Sequence, residues 1–182
     1  MEPFPVSVHP VLDQLGDTLP LSGVLGQTEY KMGAETLLTP DGVRYDLLLS
    51  NTGEGVLLSG TVSAEVQGRC ARCLVPVVEH VEAEAEGYYL FEPAEELEDY
   101  EEDEFDVVGE DGTVDVSGPI EAALVYGTPF VFLCSPECKG LCPTCGADLN
   151  EGPCGCDAGD DIDPDNPFAV LKDLKFPEDP AS

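Results

Sequence analysis

Cysteine clustering is the feature of this sequence that most restricts its fold. Six of the eight cysteines lie between residues 134 and 156, and the other two, Cys70 and Cys73, form a C-x-x-C pair in the first half of the chain. In the tail, the segment LCPTCG at residues 141–146 has the form of a zinc knuckle, in which two thiolates reach one tetrahedral ion. This density of thiols predicts that part of the chain is built around structural Zn²⁺.

The eight cysteines are enough for two Cys₄ sites, and the spacing allows two divisions. The first division, which we prefer, puts the last four cysteines on one ion and the remaining four on another, which would attach residues 70–73 to the tail. Its two sets are Cys142, Cys145, Cys154 and Cys156, and Cys70, Cys73, Cys134 and Cys138. The second division groups Cys134, Cys138, Cys142 and Cys145. The sequence predicts one or two structural sites and leaves both divisions open.

Other uses of these thiols fit less well. The first residues have neither a basic nor an apolar leader region, which predicts a cytoplasmic protein whose thiols stay reduced. The C-A-R-C pair has the spacing of a thioredoxin-like redox motif but follows a β-hairpin pattern instead of a βαβ unit. His80 and Glu82 followed by Cys142 and Cys145 only superficially match a zinc deaminase, because the proline lies inside the cysteine pair. We therefore expect no enzyme.

The charge of the chain excludes further classes of function. Thirty-eight acidic and seven basic residues give a formal net charge of −31, which disfavours broad binding to nucleic acid or to anionic membranes and favours basic partners. No apolar run approaches the roughly 20 residues of a membrane helix. Residues 92–111 carry twelve acidic side chains and no basic one, which predicts a largely disordered loop.

Three of the seven basic residues adjoin candidate metal ligands. They are Arg69, Arg72 and Lys139. They would offset the negative charge of nearby thiolates, or they would form a small patch that contacts RNA. The small size of the patch favours the first interpretation.

Hydrophobic periodicity predicts strands in the first half. Apolar and polar residues alternate through residues 43–49, 58–67 and 77–89, as in half-buried antiparallel strands. Cys70 and Cys73 then lie near the tip of a long hairpin made by the last two strands.

The second half predicts two short helices. One follows a strand at residues 113–116, with Ser117 as its cap and Pro119 in its first turn, and the other begins at Asn166 and Pro167.

These patterns divide the chain into three regions. Residues 1–91 form a β-rich region with the C-x-x-C pair at a hairpin tip, and residues 92–111 form the acidic loop. Residues 112–176 hold a short helix, the cysteine segment and a C-terminal helix, and they form one domain with residues 1–91. The predicted class is α+β: an antiparallel sheet that could curl toward a barrel, few short helices and a C-terminal cysteine-rich zinc-binding segment.

Three motifs resemble the YceD family of bacterial and plastid proteins. They are RCARCLVPV at residues 69–77, CSPECKGLCPTCGADLN at residues 134–150 and DNPFAVL at residues 165–171. The order of features along the chain also fits this family, since an acidic segment and an aspartate before a short helix lie between the first two motifs. The resemblance implies a role in accumulation or processing of large-subunit ribosomal RNA, and it carries over no catalytic residue.

The charge of the chain refines what this resemblance implies. A chain this acidic is expected to act on ribosomal RNA indirectly, by gripping a basic ribosomal protein or assembly factor through residues 92–111 and the face formed by Glu82, Glu84 and Glu86. Two alternatives stay open: a zinc protein that contacts RNA directly through Arg69, Arg72 and Lys139, and a zinc–thiol redox switch.

Overall fold

The fold was determined as a computed structural model, which describes residues 1–26, 28–91 and 106–156. These residues form nine β-strands, one 3₁₀ turn at His9–Val11 and one α-helix. The elements are β1 (Pro5–Ser7), β2 (Thr18–Leu25), β3 (Thr28–Met32), β4 (Glu35–Thr39), β5 (Val43–Asn51), β6 (Gly55–Arg69), β7 (Pro76–Leu90), β8 (Asp106–Val107), β9 (Thr113–Asp115) and α1 (Ser117–Gly127).

The chain divides into two compact units, Met1–Cys138 and Lys139–Ser182. All the named elements belong to the first unit. The boundary between the units lies inside residues 112–176, which were predicted from the sequence to form one domain with residues 1–91.

The three strands predicted from hydrophobic alternation are confirmed as the antiparallel meander β5–β6–β7. Along β6, Leu58, Val62, Ala64 and Val66 are buried on one face, and Leu57, Ser59, Thr61, Ser63 and Glu65 on the other face are more exposed. Because paired residues share a face, Val62 lies between Tyr45 of β5 and Ala83 of β7 on the core side of the sheet. The sheet therefore has one apolar and one polar face.

The remaining strands complete a mostly antiparallel sheet of seven strands. Its order is β2-β5-β6-β4-β3, in which β5 and β4 pair with successive parts of one edge of β6. The strand β7 pairs with the opposite edge of β6, and β8 pairs with β7 in parallel. The strands β1 and β9 form a separate two-stranded sheet. Among the described residues the seven-stranded sheet does not close, because β2 pairs only with β5 and the two-residue β8 pairs only with β7. The expectation of a barrel-like curl is therefore corrected to an open sheet, and the described chain has a single α-helix.

The helix α1 packs against β7, β6 and β3 through its buried residues Ile120, Ala123 and Leu124. Its predicted cap is corrected, because Ser117 is the first residue of the helix and the N-cap is Val116, which makes no side-chain capping bond. Instead, Asp115 Oδ1 accepts hydrogen bonds from the backbone N–H of Ser117 at 3.0 Å and of Phe4 at 2.9 Å. One carboxylate thus fixes both the start of the helix and the chain entering β1.

The sequence predictions of an acidic loop and of a helix beginning at Asn166 fall largely outside the described residues. The end of the acidic stretch is described: Asp106–Val107 form β8, and Asp111 Oδ1 accepts a bond of 2.7 Å from the Thr113 hydroxyl. In the described part of the chain, α1 is too short to cross a membrane.

Candidate metal centres

The eight cysteines form two groups of four. In each group the sulfur atoms all lie within 4.8 Å of one another, and none of the eight cysteines forms a disulfide bond. The groups are Cys70, Cys73, Cys134 and Cys138, here called the first cluster, and Cys142, Cys145, Cys154 and Cys156, here called the second cluster. The structure thus groups the thiols as the first of the two divisions allowed by the sequence, and each cluster lies within one unit.

The tip of the β6–β7 hairpin supplies half of the first cluster. Its turn is fixed by bonds from Cys70 N–H to the Val75 carbonyl at 2.8 Å and from Leu74 N–H to the Cys70 carbonyl at 2.9 Å. Leu74 has a φ of 64°, in the left-handed region that glycine usually occupies after a C-x-x-C knuckle. This turn directs both sulfurs to one side, where Cys70 and Cys73 are buried.

The segment after α1 supplies the other half. The Phe132 ring packs against Gly68, where a Cβ atom would approach the ring carbons to 3.0 Å, and the Phe132 carbonyl accepts a bond of 2.9 Å from Ala71 N–H. These contacts bring Cys134 and Cys138 to the hairpin tip. The Sγ atoms of Cys70 and Cys138 are then 3.8 Å apart, and those of Cys73 and Cys134 are 3.5 Å apart.

Arg72 ties the two halves together. Its Nη1 donates to the Cys138 carbonyl at 2.8 Å and to the Pro136 carbonyl at 3.0 Å. The guanidinium thus places a positive charge beside the first cluster and holds its second half by hydrogen bonds. Sequence reasoning found the charge but missed these partners, which lie more than sixty positions away in the chain.

The second cluster begins with the predicted knuckle. Cys142 N–H donates to the Ala147 carbonyl at 2.8 Å, and Gly146 N–H donates to the Cys142 carbonyl at 2.9 Å. Gly146 has a positive φ of 73°, a conformation that glycine adopts without strain. Leu141 and Asp148 close this turn with an isolated β-bridge. The Gly155 backbone, with φ 73°, then lets Cys154 and Cys156 face one site although only one residue separates them.

The thiols of each cluster differ in acidity. In the first cluster, hydrogen bonds from the backbone amides of Cys134 and Cys73 lower the pKa of the Cys70 thiol to about 6, while the Cys138 and Cys73 thiols raise the pKa of Cys134 to about 12. In the second, the amides of Cys145 and Thr144 lower the pKa of Cys142 to about 6. Four thiolates at this spacing repel one another, so a cation is what allows all four to ionise together.

The geometry fits a tetrahedral ion. With Zn–S bonds of about 2.3 Å, tetrahedral ligands lie roughly 3.8 Å apart, close to the sulfur separations in the first cluster. Four thiolates fill the coordination sphere and leave no position for a reacting water, as in structural sites. Both clusters could therefore hold a metal ion, and among the described residues they are the only such groups that include cysteine.

The other residues singled out in the sequence lie as follows. Arg69 and Lys139 are exposed, and Lys139 N–H donates to Asn150 Oδ1 at 2.8 Å. His80 lies on the exposed face of β7 and forms a 2.8 Å pair with Glu65, which fits the solvated strand face predicted for it. His80 and Glu82 belong to neither cysteine cluster.

Comparison with known proteins places the part of the chain that holds the two cysteine clusters in a family. The family model described as large ribosomal RNA subunit accumulation protein YceD matches residues 58–175. An uncharacterised protein of Mycobacterium bovis is 38% identical over 125 residues, covering 68% of this chain and 60% of its own length. An uncharacterised protein of Mycobacterium leprae is 32% identical over 154 residues, covering 82% of this chain and 68% of its own length.

The matches cover only part of these relatives. The chain spans 60% of the length of the first curated relatives, which include an uncharacterised protein of Mycobacterium tuberculosis. No solved structure matches the chain. The family match begins in β6 and includes every cysteine of both clusters. The resemblance seen in the sequence is thus confirmed, and the chain belongs to the YceD family of large ribosomal RNA subunit accumulation proteins.

Proposed function

We propose that this protein is a non-enzymatic accessory factor of ribosome assembly in the cytoplasm. It supports accumulation of large-subunit ribosomal RNA by binding a basic ribosomal protein or assembly factor. Family membership supports the biological role. The observation that carries the binding mode is the exposed acidic row on β7.

The acidic row consists of Glu82, Glu84 and Glu86, all exposed on one side of β7. Their partners across β6 are Ser63, Thr61 and Ser59, which carry no charge to neutralise them. On β5, Asp46 pairs with Thr61 and extends the row across the sheet opposite Glu84, while Arg44 pairs with Ser63 and places one positive charge opposite Glu82.

This distribution of charge favours a cationic protein over RNA. Carboxylates on an exposed sheet face attract lysine- and arginine-rich surfaces and repel phosphates. Because these charges are solvent-exposed, the attraction weakens as salt rises. The net charge of −31 acts in the same direction over the whole chain.

Zn²⁺ is the ion we propose for both clusters, with a structural role. Four thiolates in a closed tetrahedral set suit zinc and give no site for catalysis. In the first cluster the ion holds the tip of the β6–β7 hairpin to the segment after α1, and so stabilises the end of the sheet.

A complementation experiment tests the proposed function. A strain lacking the endogenous gene receives the wild-type chain, the triple variant E82Q/E84Q/E86Q or the control E29Q/E35Q/E54Q, which removes three exposed carboxylates elsewhere. Large-subunit ribosomal RNA is quantified, and partners are captured at low and at high salt. We expect the control to restore the RNA level and the β7 variant to fail, with a basic protein captured only at low salt.

Two results would contradict this proposal. One is a β7 variant that restores the RNA fully and captures the same partners as the wild type. The other is crosslinking of the wild-type chain directly to ribosomal RNA that R69A/K139A abolishes without unfolding, which would assign the function to the alternative of direct RNA binding.

A further inference from the structure

We propose that the two clusters retain their metal unequally: the second cluster gives up its ion to a chelator or to peroxide well before the first. The inference rests on the zinc sites of the proposed function and adds a regulatory property to one of them. The ion is a thiophilic divalent cation, and the responsive ligands are thiolates of the second unit.

Burial differs between the two clusters. Three of the four thiols in the first cluster are buried, with Cys70 0%, Cys138 3% and Cys73 5% exposed. In the second cluster only Cys142 is buried, at 7%, whereas Cys145 and Cys156 are exposed. A competing chelator or an oxidant must reach sulfur or metal directly, so the second cluster presents more of its ligands to attack.

The protein scaffold around the clusters also differs. In the first cluster, hydrogen bonds from Arg72 and Ala71 join the two halves independently of any metal. In the second, backbone bonds organise the turn at 140–149 and continue to Glu151, whereas Cys154 bonds to Cys142 and Cys156 bonds to Cys145 through the thiol groups, which are the metal ligands themselves. The ion is therefore the main tie between the two halves of the second cluster.

This difference affects what happens when one ligand detaches. In the first cluster, a thiolate that leaves the ion stays beside it, because the surrounding backbone is held in place, and it rebinds. In the second cluster, detachment frees a short exposed arm, and this local opening exposes the ion to competitors.

Oxidation by peroxide follows a balanced course. One thiolate attacks a peroxide oxygen, which breaks the O–O bond, leaves a sulfenic acid and releases hydroxide. A second thiolate displaces hydroxide from that sulfur and forms the S–S bond, so two electrons pass from the sulfur pair to peroxide. Two protons from solvent convert the hydroxides to water, and the metal leaves as a divalent cation. Two peroxides oxidise all four thiolates of the cluster.

The test uses the full chain loaded with zinc and verified by elemental analysis. Release is followed with a colorimetric chelator, and in parallel with hydrogen peroxide, while iodoacetamide and peptide mapping record which cysteines become reactive. We expect two kinetic phases of one zinc each, the faster by roughly tenfold, with alkylation or oxidation in the fast phase confined to residues 142–156.

Matched variants assign the phases. C145S removes one exposed ligand of the second cluster and should abolish only the fast phase, and C134S removes the exposed ligand of the first cluster and should abolish only the slow phase. Equal release rates, or earlier labelling of Cys70 and Cys73, overturn the inference while leaving the zinc sites intact. A native chain that binds no zinc overturns the structural role of zinc in the proposed function as well.

Discussion

Arg72 and Cys138 are joined by a hydrogen bond of 2.8 Å from the guanidinium Nη1 to the backbone carbonyl oxygen. The two residues are sixty-six positions apart, and the bond fixes the hairpin tip to the segment that completes the first cluster. Because the same nitrogen also reaches the Pro136 carbonyl, a single side chain orients the loop between Cys134 and Cys138.

Removing this side chain should loosen the first cluster. We expect R72A to lower the free energy of unfolding by about 1–2 kcal/mol and to speed zinc loss from the first cluster, since two carbonyls lose a charged donor. R72K keeps the charge but not the planar guanidinium and should fall between R72A and the wild type. Urea unfolding and chelator kinetics measure both effects.

The control for this prediction is R69A, which removes an exposed arginine from the end of β6. It should leave both measurements unchanged. If R72A kept wild-type stability and zinc kinetics but lost RNA crosslinking, Arg72 would instead belong to an RNA-binding surface.

Asp115 should make stability depend on pH. Burial alone would raise its pKa, but hydrogen bonds from the backbone N–H groups of Ser117 and Phe4 outweigh this and lower the pKa below its usual value. A carboxyl whose pKa is lowered by folding stabilises the protein above its unfolded pKa of about 3.9, and this stabilisation is lost as pH falls through the folded pKa.

The variant D115A should therefore cost about 1 kcal/mol at pH 7 and less near pH 3. D115N keeps an acceptor oxygen and should lose less than D115A. The difference in unfolding free energy between variant and wild type, measured by urea titration at each pH, isolates Asp115 because metal loss is common to both proteins. A difference that stays constant from pH 7 to pH 3 would rule out the carboxylate as the cause.

A buried hydroxyl chain should couple β3 to the end of α1. Tyr30 OH lies 2.6 Å from Thr128 Oγ1, and the Thr128 hydroxyl donates to the Leu124 carbonyl at 2.6 Å, so Tyr30 is the donor to Thr128. Y30F and T128V should each destabilise the chain by about 1 kcal/mol, with a coupling of about 0.5–1 kcal/mol in the double-mutant cycle. Strict additivity of the two losses would show that the hydroxyls do not interact.

Leu74 should be replaceable by glycine with a gain in stability. Its φ of 64° costs a branched side chain roughly 1 kcal/mol, and at 56% exposure the side chain buries little area in return. L74G should raise the midpoint of thermal unfolding, whereas L74A, which keeps the Cβ, should not. A lower midpoint for L74G would show that the leucine side chain makes a stabilising contact.

Sequence reasoning located the parts of the fold that depend on local pattern. Strict alternation identified β5, β6 and β7, since most side chains on one face of these strands are buried or half-buried and most on the other face are more exposed. Spacing allowed two divisions of the cysteines and did not decide between them, because only the path of the chain after α1 brings Cys134 and Cys138 to Cys70 and Cys73.

The strands β2, β3 and β4 were missed for a physical reason. Residues 18–25 contain Pro20, which usually argues against a strand, but β2 pairs only with β5 in the described sheet, so an edge position accommodates the missing N–H. The hairpin β3–β4 joins β6 through the single pair Leu38–Gln67, a register set by tertiary packing alone.

Side-chain hydrogen bonds were also beyond the sequence. Asp115 and Ser117 are both good capping residues, and only the position of the Phe4 backbone explains why the aspartate is used. The partners of Arg72 could not be predicted for a similar reason. The sequence around Arg72 indicates only its charge, whereas its hydrogen-bond partners depend on the path of the chain after α1.

The row of glutamates on β7 has a consequence for encounters between identical molecules. Stacking two such sheet faces would set Glu82, Glu84 and Glu86 of one copy against the same residues of the other, within the roughly 10 Å over which charges are felt at moderate salt. That repulsion discourages self-association through this face of the sheet. The carboxylates proposed to select a cationic partner thereby also keep the uncovered face of the molecule free for it.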